Sequence, residues 1–190
     1  PRPAVLIRSH EKPEGDRPED RWVRELCTRY PGQASVVAPY LLQYFLLEPG
    51  EGLFLGPGLL HAYLKGTGVE LMGNSNNVLR GGLTVKHVDV DELLHVMRFE
   101  PAPAAPQRPE PQGDGWSRYA TPAEEFCLHR LEAPVSWTAK GPCIFLATTS
   151  GVLTNTGGEH VVKAGESFFL AHKSAVALED GLSGYLAAVP

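Results

Sequence analysis

Apolar residues near both ends of the first hundred positions recur at helical spacing. Trp22, Leu26 and Tyr30 follow one another every four residues, which predicts a short helix from Asp20 to Tyr30 with Asp20 as its N-cap. A second group with the same period predicts a helix over 89–98. The pattern therefore indicates two short helices.

Between these helices the apolar residues form short runs separated by turn residues. The runs predict strands over 41–47, 53–55, 60–64 and 69–72. The last two runs flank Lys65-Gly66-Thr67-Gly68 and predict a β-hairpin. Six further runs predict strands over 126–128, 144–147, 151–153, 159–162, 167–170 and 185–189. Many short strands joined by glycine turns are typical of a jelly roll or barrel, so the chain is predicted to be mainly β.

A proline-rich stretch separates the two groups of predicted strands. Residues 100–115 read EPAPAAPQRPEPQGDG. Proline favours an extended, stiff backbone, so this stretch predicts a linker and the best domain boundary in the chain.

One nine-residue segment occurs twice in similar form. LEPGEGLFL over 47–55 aligns without gaps with VKAGESFFL over 162–170. Each copy places a glycine-glutamate turn before a short apolar strand, an arrangement typical of cupin-like jelly rolls. In this register His61 falls opposite Val176, which predicts a site-bearing cupin followed by one without a site. Chance similarity of two short segments is the alternative.

Composition and charge limit which binding partners and which cellular compartment the chain is expected to have. A chain of 190 residues can bury one sizeable core or two small ones. The net charge of -5 argues against nucleic acid or an anionic membrane as partner. Three cysteines without CxxC spacing predict reduced thiols in a cytoplasmic protein. The longest apolar run is shorter than the roughly 20 residues that span a bilayer, and no secretory signal is visible.

The first twenty residues are highly charged and rich in proline, which predicts a linker or exposed segment over 1–20. The chain opens Pro1-Arg2-Pro3 without a methionine. We therefore expect it to be an internal piece of a longer protein.

Residues 59–86 carry the chemistry. This stretch holds a histidine, a tyrosine, an asparagine-rich turn, an arginine and a glycine pair. Glycine pairs let the backbone approach a ligand closely, and arginine presents a rigid charged fork to anionic oxygens. His61-Ala62-Tyr63-Leu64, the run from Asn77 to Thr84, and Lys86 resemble the signature of type I phosphomannose isomerases. These are zinc enzymes that interconvert mannose 6-phosphate and fructose 6-phosphate.

The resemblance runs from about Tyr30 to Pro190 and matches only the C-terminal part of the family. It implies cupin-like jelly rolls with short helices, and a missing N-terminal half as partner. The implied domains are the latter half of a catalytic jelly roll over 21–100, the proline-rich linker over 101–115 and a small cupin-like domain over 116–190.

The same resemblance implies a role for three residues. His61 would ligate zinc, Arg80 would neutralise the enediolate and Lys86 would bind the phosphate. Tyr63, two residues beyond His61, is predicted on the same face of the strand and could hydrogen-bond a sugar hydroxyl or close the pocket. The residues alone also allow a half-buried strand histidine, an arginine with a buried stem, a surface lysine and a core tyrosine.

The remaining zinc ligands are not evident in this chain. The family takes them from a Gln-x-His pair and a Lys-Pro-Glu triplet in its N-terminal part. Lys12-Pro13-Glu14 spells the triplet but lies too close to His61, so we interpret it as coincidence. The chain also departs from the family pattern at Asn76, where aspartate is usual, and at Val85, where proline is usual. The other histidines lack metal-binding spacing and are expected to be ordinary surface or core residues.

Two further hypotheses remain open. The chain could be a non-catalytic sugar-phosphate-binding module that keeps Arg80 and Lys86 without the metal. The second domain could be purely structural or a partner surface.

Overall fold

The computed structural model describes residues 17–75, 77–100 and 104–190, so most of the predicted 1–20 segment lies outside it. The described residues form two compact units. The first unit contains 17–46, 55–66 and 77–100, and the second contains 47–54, 67–75 and 104–190. Among these residues, no helix is long and apolar enough to cross a membrane.

The second unit contains two antiparallel sheets, which confirms the mainly β fold class. One sheet has the order β1-β2-β3-β10-β5-β8 and the other has the order β4-β9-β6-β7. The strands are β1 Glu110–Gly113, β2 Trp116–Arg118, β3 Cys127–Glu132, β4 Val135–Thr138, β5 Cys143–Ala147, β6 Gly151–Asn155, β7 Gly158–Val162, β8 Ser167–Leu170, β9 Ala175–Glu179 and β10 Ser183–Ala188.

Strand periodicity builds the core of this unit. Every second residue of β3 and of β5 is buried, because successive side chains of a strand point to opposite faces. Phe145, Leu131 and Leu186 are among the fully buried side chains of the resulting core. Each side chain of this size stabilises the fold by roughly 1.5–3 kcal/mol when it leaves water. Cys127 and Cys143 also lie in the core, and both are free thiols.

All six strands predicted beyond the proline-rich stretch are present, as β3, β5, β6, β7, β8 and β10. The prediction of an extended linker is wrong over 110–113, which form β1. This strand contains Pro111 and lies at the edge of its sheet. A proline is tolerated there because its missing N–H is not needed for a second neighbour.

The first unit is built from short helices, which confirms both predicted helices. They are α1 Pro18–Arg29, a 3-10 helix Ala34–Val37, α2 Ala38–Leu41 and α3 Val90–Val96. The predicted N-cap of α1 is wrong, because Arg17 occupies that position. Asp20 instead is buried and accepts hydrogen bonds from the Arg17 guanidinium and, at 2.8 Å, from the Tyr40 hydroxyl. The bonds from Arg17 and Tyr40 hold the pKa of Asp20 below its usual value.

The strands predicted over 41–47, 53–55, 60–64 and 69–72 do not form, and the predicted hairpin around 65–68 is wrong. Apolar periodicity assigns faces to a strand, but the strand exists only when a neighbour accepts and donates its backbone hydrogen bonds. The described part of these stretches forms no such pairing, and the isolated bridge between Gly52 and Gln107 falls just before the predicted strand 53–55. The apolar runs therefore lack sheet partners.

The repeated glycine-glutamate turn has the same geometry in both copies. The Glu48 N–H donates to the Glu51 carboxylate at 3.0 Å, and the Lys163 N–H donates to the Glu166 carboxylate at 2.9 Å. The intervening glycines both have positive φ, 83° and 89°. Beyond the turn the copies differ, because the second continues into β8 while the first forms no strand.

Candidate functional site

A cavity of about 200 Å³ lies within the first unit. Its walls come from α1, from the 3-10 helix and α2, and from two irregular segments over 60–64 and 81–83. His61 and Tyr63 line this cavity together with apolar residues such as Trp22 and Leu26. The cavity thus combines an apolar wall with the first two predicted site residues.

His61 is exposed and does not lie on a strand, which corrects its predicted setting. Its Nδ1 atom is 2.9 Å from the carbonyl oxygen of Leu59. A carbonyl oxygen can only accept, so this hydrogen bond requires the proton on Nδ1, and in the neutral ring the lone pair is then on Nε2. A backbone carbonyl that fixes the tautomer in this way is typical of metal-binding histidines.

Tyr63 lies next to His61. The two ring centroids are 6.1 Å apart with an interplanar angle of 64°. Tyr63 is 75% exposed, so the alternative of a core tyrosine is wrong. The Tyr63 side chain therefore lines the cavity from an exposed position.

Arg80 and Lys86 begin and end an irregular loop, and both residues are exposed. The backbone between them turns sharply, with φ values of 125° at Gly82 and 51° at Leu83. A left-handed conformation at a residue other than glycine costs roughly 1–3 kcal/mol and persists only where surrounding contacts impose it. Such residues cluster at functional sites.

The contacts that impose this conformation come from Gln33 and Ser35, which no sequence motif marks. The Ser35 hydroxyl accepts a hydrogen bond from the Leu83 N–H at 3.2 Å. The Gln33 side-chain amide donates to the Thr84 carbonyl at 3.1 Å. A Cβ atom at Gly82 would lie 2.5 Å from Ser35 Oγ, so only glycine permits this approach. In the sequence, the glycine pair indicated that another part of the chain packs closely against this loop. It did not indicate that the neighbour is Ser35.

Gly81 is the second residue of the loop that packs closely against another segment, in this case against Leu60. A Cβ atom at Gly81 would overlap the side chain of Leu60, the residue before His61. The absence of a side chain at Gly81 therefore brings the Arg80 loop against the segment that carries His61. Arg80 itself is not among the described residues that line the cavity.

Among the described residues, one of the predicted site residues fits the chemistry of a zinc ligand. His61 fits the role of a ligand because its Nε2 lone pair is available. In residues 17–75, 77–100 and 104–190, no group of three or more His, Cys, Asp or Glu side chains is arranged to hold a metal ion. Lys12-Pro13-Glu14 and Asn76 lie outside the described residues. His61 alone does not make a complete site, since zinc sites use three or four protein ligands.

Comparison with known proteins relates this geometry to one group of enzymes. No protein-family model matches the chain. The chain is 34% identical over 184 residues to a probable mannose-6-phosphate isomerase of Caenorhabditis elegans, covering 90% of the chain and 44% of the relative. It is 34% identical over 153 residues to mannose-6-phosphate isomerase of Salmonella typhimurium, covering 78% of the chain and 39% of the relative.

Solved structures that resemble this chain are also phosphomannose isomerases. Phosphomannose isomerase of Salmonella typhimurium, in a lysine-to-alanine variant, superposes with a TM-score of 0.79 at 28% identity, covering 92% of this chain and 48% of that one. The enzyme from the same organism bound to fructose 6-phosphate and zinc gives a TM-score of 0.78 at 28% identity, covering 92% and 46%. The fold is therefore that of a cupin-type protein.

Within that class, the chain belongs to the phosphomannose isomerase family. It spans less than half the length of these two relatives. Its resemblance over 61–86 lies in the segments that form the cavity wall and the Arg80 loop.

Proposed function

We propose that this chain contributes to an aldose-ketose isomerase that interconverts mannose 6-phosphate and fructose 6-phosphate through an enediol or enediolate. One observation supports this most directly: His61, with its Nε2 lone pair available, and the Arg80 loop lie in one compact unit, joined by the contact of Leu60 with Gly81.

The reaction moves a proton between C1 and C2 of the sugar, and negative charge grows on the flanking oxygens. Arg80 is a permanent cation that would stabilise this charge as it develops, and Lys86 would bind the phosphate. Tyr63 would donate a hydrogen bond to a sugar hydroxyl from its exposed position beside His61. His61 would hold zinc, which when bound polarises the sugar oxygens as a Lewis acid.

The remaining zinc ligands would come from an N-terminal half of the catalytic domain. Support comes from the relatives, which are more than twice as long as the matched segment, and from the single candidate ligand at His61. In this proposal residues 21–100 complete the catalytic jelly roll, the linker is confined to 101–109, and the sheets from β1 to β10 form an accessory domain. The free thiols of Cys27, Cys127 and Cys143 suit a cytoplasmic location.

The test is isomerase activity of the intact protein with and without Arg80. Arg80→Ala should lower kcat by about 10²–10³, the usual cost of removing a group that stabilises transition-state charge. Arg21→Ala removes the same charge from an exposed position of α1 and serves as the matched control. Equal activity of the two variants would contradict the proposed role.

A non-catalytic sugar-phosphate-binding module is the second candidate. It is favoured by the lack of a complete metal-binding group among the residues that the structure describes. This candidate predicts that fructose 6-phosphate binds to the intact protein without zinc and without turnover. Measurable isomerase activity that disappears on zinc removal would exclude it.

A further inference from the structure

The loop from Arg80 to Lys86 is held by one short segment of the same unit. Leu83 in the middle of this loop has a φ of 51°, which an isolated leucine rarely adopts. A loop with such a residue needs an external contact to keep one conformation.

Two hydrogen bonds from neighbouring side chains supply that contact. The Leu83 N–H donates to Ser35 Oγ at 3.2 Å, and the Gln33 amide donates to the Thr84 carbonyl at 3.1 Å. Ser35 in turn donates to Gln33 Oε1 at 3.3 Å. The two side chains are joined by this third hydrogen bond, so together they hold two consecutive residues of the loop.

The segment that carries Gln33 and Ser35 is held in place by its own backbone contacts. Gln33 is the N-cap of the 3-10 helix, and its N–H donates to the carbonyl of Tyr30 after α1. Val36, directly after Ser35, is buried in the same unit. Gln33 and Ser35 are therefore able to impose a position on the loop, because their own backbone is fixed by packing.

We propose that Ser35 and Gln33 are positioning residues that hold Arg80 and Lys86 in their working geometry. This proposal rests on the proposed function, since it assigns these residues to the same reaction. Ser35 lines the cavity, but its hydroxyl is engaged by the Leu83 N–H and by Gln33 Oε1, so its assigned role is positional. Ser35 and Gln33 act through the Leu83-Thr84 peptide, which lies between the charged residues.

Their loss should change the kinetic constants in a defined way. Freeing the loop would displace the Arg80 charge from the developing enediolate, and misplacement by about 1 Å can cost up to 10²-fold in rate. Ser35→Ala should therefore lower kcat about tenfold or more. Its KM for mannose 6-phosphate should change less, because substrate binding uses other contacts as well.

The experiment compares Ser35→Ala and Gln33→Met with Ser150→Ala in the intact, zinc-loaded protein. Ser150 is a matched control, because its hydroxyl accepts the Ala164 N–H at the same distance of 3.2 Å in the other unit. Hydrogen exchange of the Leu83 amide provides a readout that does not depend on turnover. We expect exchange about tenfold faster in Ser35→Ala and unchanged exchange in Ser150→Ala.

The outcomes separate the two proposals. If wild-type protein neither turns over mannose 6-phosphate nor binds fructose 6-phosphate, the proposed function fails and the positioning role fails with it. If wild-type protein is active and both Ser35→Ala and Gln33→Met match Ser150→Ala in kcat, the positioning role alone is overturned. Lower kcat in both variants, with faster Leu83 exchange in Ser35→Ala, supports it.

Discussion

The two units of this protein carry similar apolar patterns but use them differently. The second unit buries its alternating residues between two sheets, and Leu131 and Leu186 are 0% exposed. In the first unit, Leu41 and Leu46 are 75% and 74% exposed, and the predicted strand that contains them is absent. An apolar run becomes a strand only where another strand completes its hydrogen bonds.

The repeated turn gives a second comparison, between two copies of one motif that both lie in the second unit. Both copies close with a glutamate carboxylate that accepts a backbone N–H, and both contain a glycine with positive φ. After the second copy, Ser167–Leu170 pairs with β5, whereas the first copy continues without a ladder. Local sequence therefore specifies the turn, and tertiary pairing decides whether a strand forms after it.

The two units should differ most in how much stability they lose when a large apolar side chain is replaced by alanine. Phe145→Ala should lower the free energy of unfolding of the second unit by about 3–5 kcal/mol, because the residue is fully buried and leaves a cavity. Leu46→Ala should change stability by less than about 0.5 kcal/mol, since its side chain remains in water. Urea denaturation measures both values. Equal losses would show that the two units do not differ in packing.

A second difference concerns pH and depends on His129 in the second unit. Its ring lies among Trp116 and Trp137, with centroids 5.5 and 4.9 Å away, and its Nε2 is 3.3 Å from Cys127 Sγ. Burial, with a smaller contribution from the Arg118 charge, lowers the pKa of His129 from 6.5 to about 4.

The fold therefore favours neutral His129, while the unfolded chain takes up the proton near pH 6.5. The stabilisation is complete above pH 6.5 and is lost as the pH falls towards 4, amounting to about 3 kcal/mol at most. Urea midpoints measured between pH 7 and pH 4 should show this loss. His129→Phe should remove this component of the pH dependence, and an unchanged pH profile in that variant would contradict the assignment.

The smallest expected effect tests whether the two turns are equivalent. Gly50→Ala and Gly165→Ala should each cost about 1–2 kcal/mol, because alanine disfavours a positive φ. A Cβ at Gly50 would also approach the Arg130 side-chain end at 2.8 Å, which can move aside. Thermal unfolding of the two variants should therefore give similar losses. A loss confined to Gly165→Ala would show that only the second turn contributes to stability.

The sequence predicted the second unit more fully than the first. Six of its strands were predicted because their apolar runs are bounded by clear turns. β1, β2, β4 and β9 were missed. β9 reads Ala-Val-Ala-Leu-Glu, and alanine has little preference for strands. In the first unit the helices were predicted from their period, whereas the strands predicted over 41–47 and 60–64 do not form because they lack partners.

For the candidate site, sequence motifs indicated His61, Tyr63, Arg80 and Lys86, and their roles stay predictions. The contribution of Gln33 and Ser35 could not be predicted, because it joins residues about fifty positions apart through side-chain contacts. No local pattern marks such a contact. The glycine pair at 81 and 82 indicated that something packs closely, and the structure supplies Leu60 and Ser35 as the neighbours.

Zinc affinity of the intact protein tests the central claim most directly. His61→Ala removes the proposed ligand, and His95→Ala removes an exposed histidine of α3 in the same unit as control. Loss of an outer-shell partner already costs about 10–100-fold in metal affinity, so His61→Ala should weaken zinc binding by about a hundredfold or more. His95→Ala should bind zinc as the wild type does. If His61→Ala also retained wild-type affinity, His61 would not be a zinc ligand and the proposed active site would be wrong.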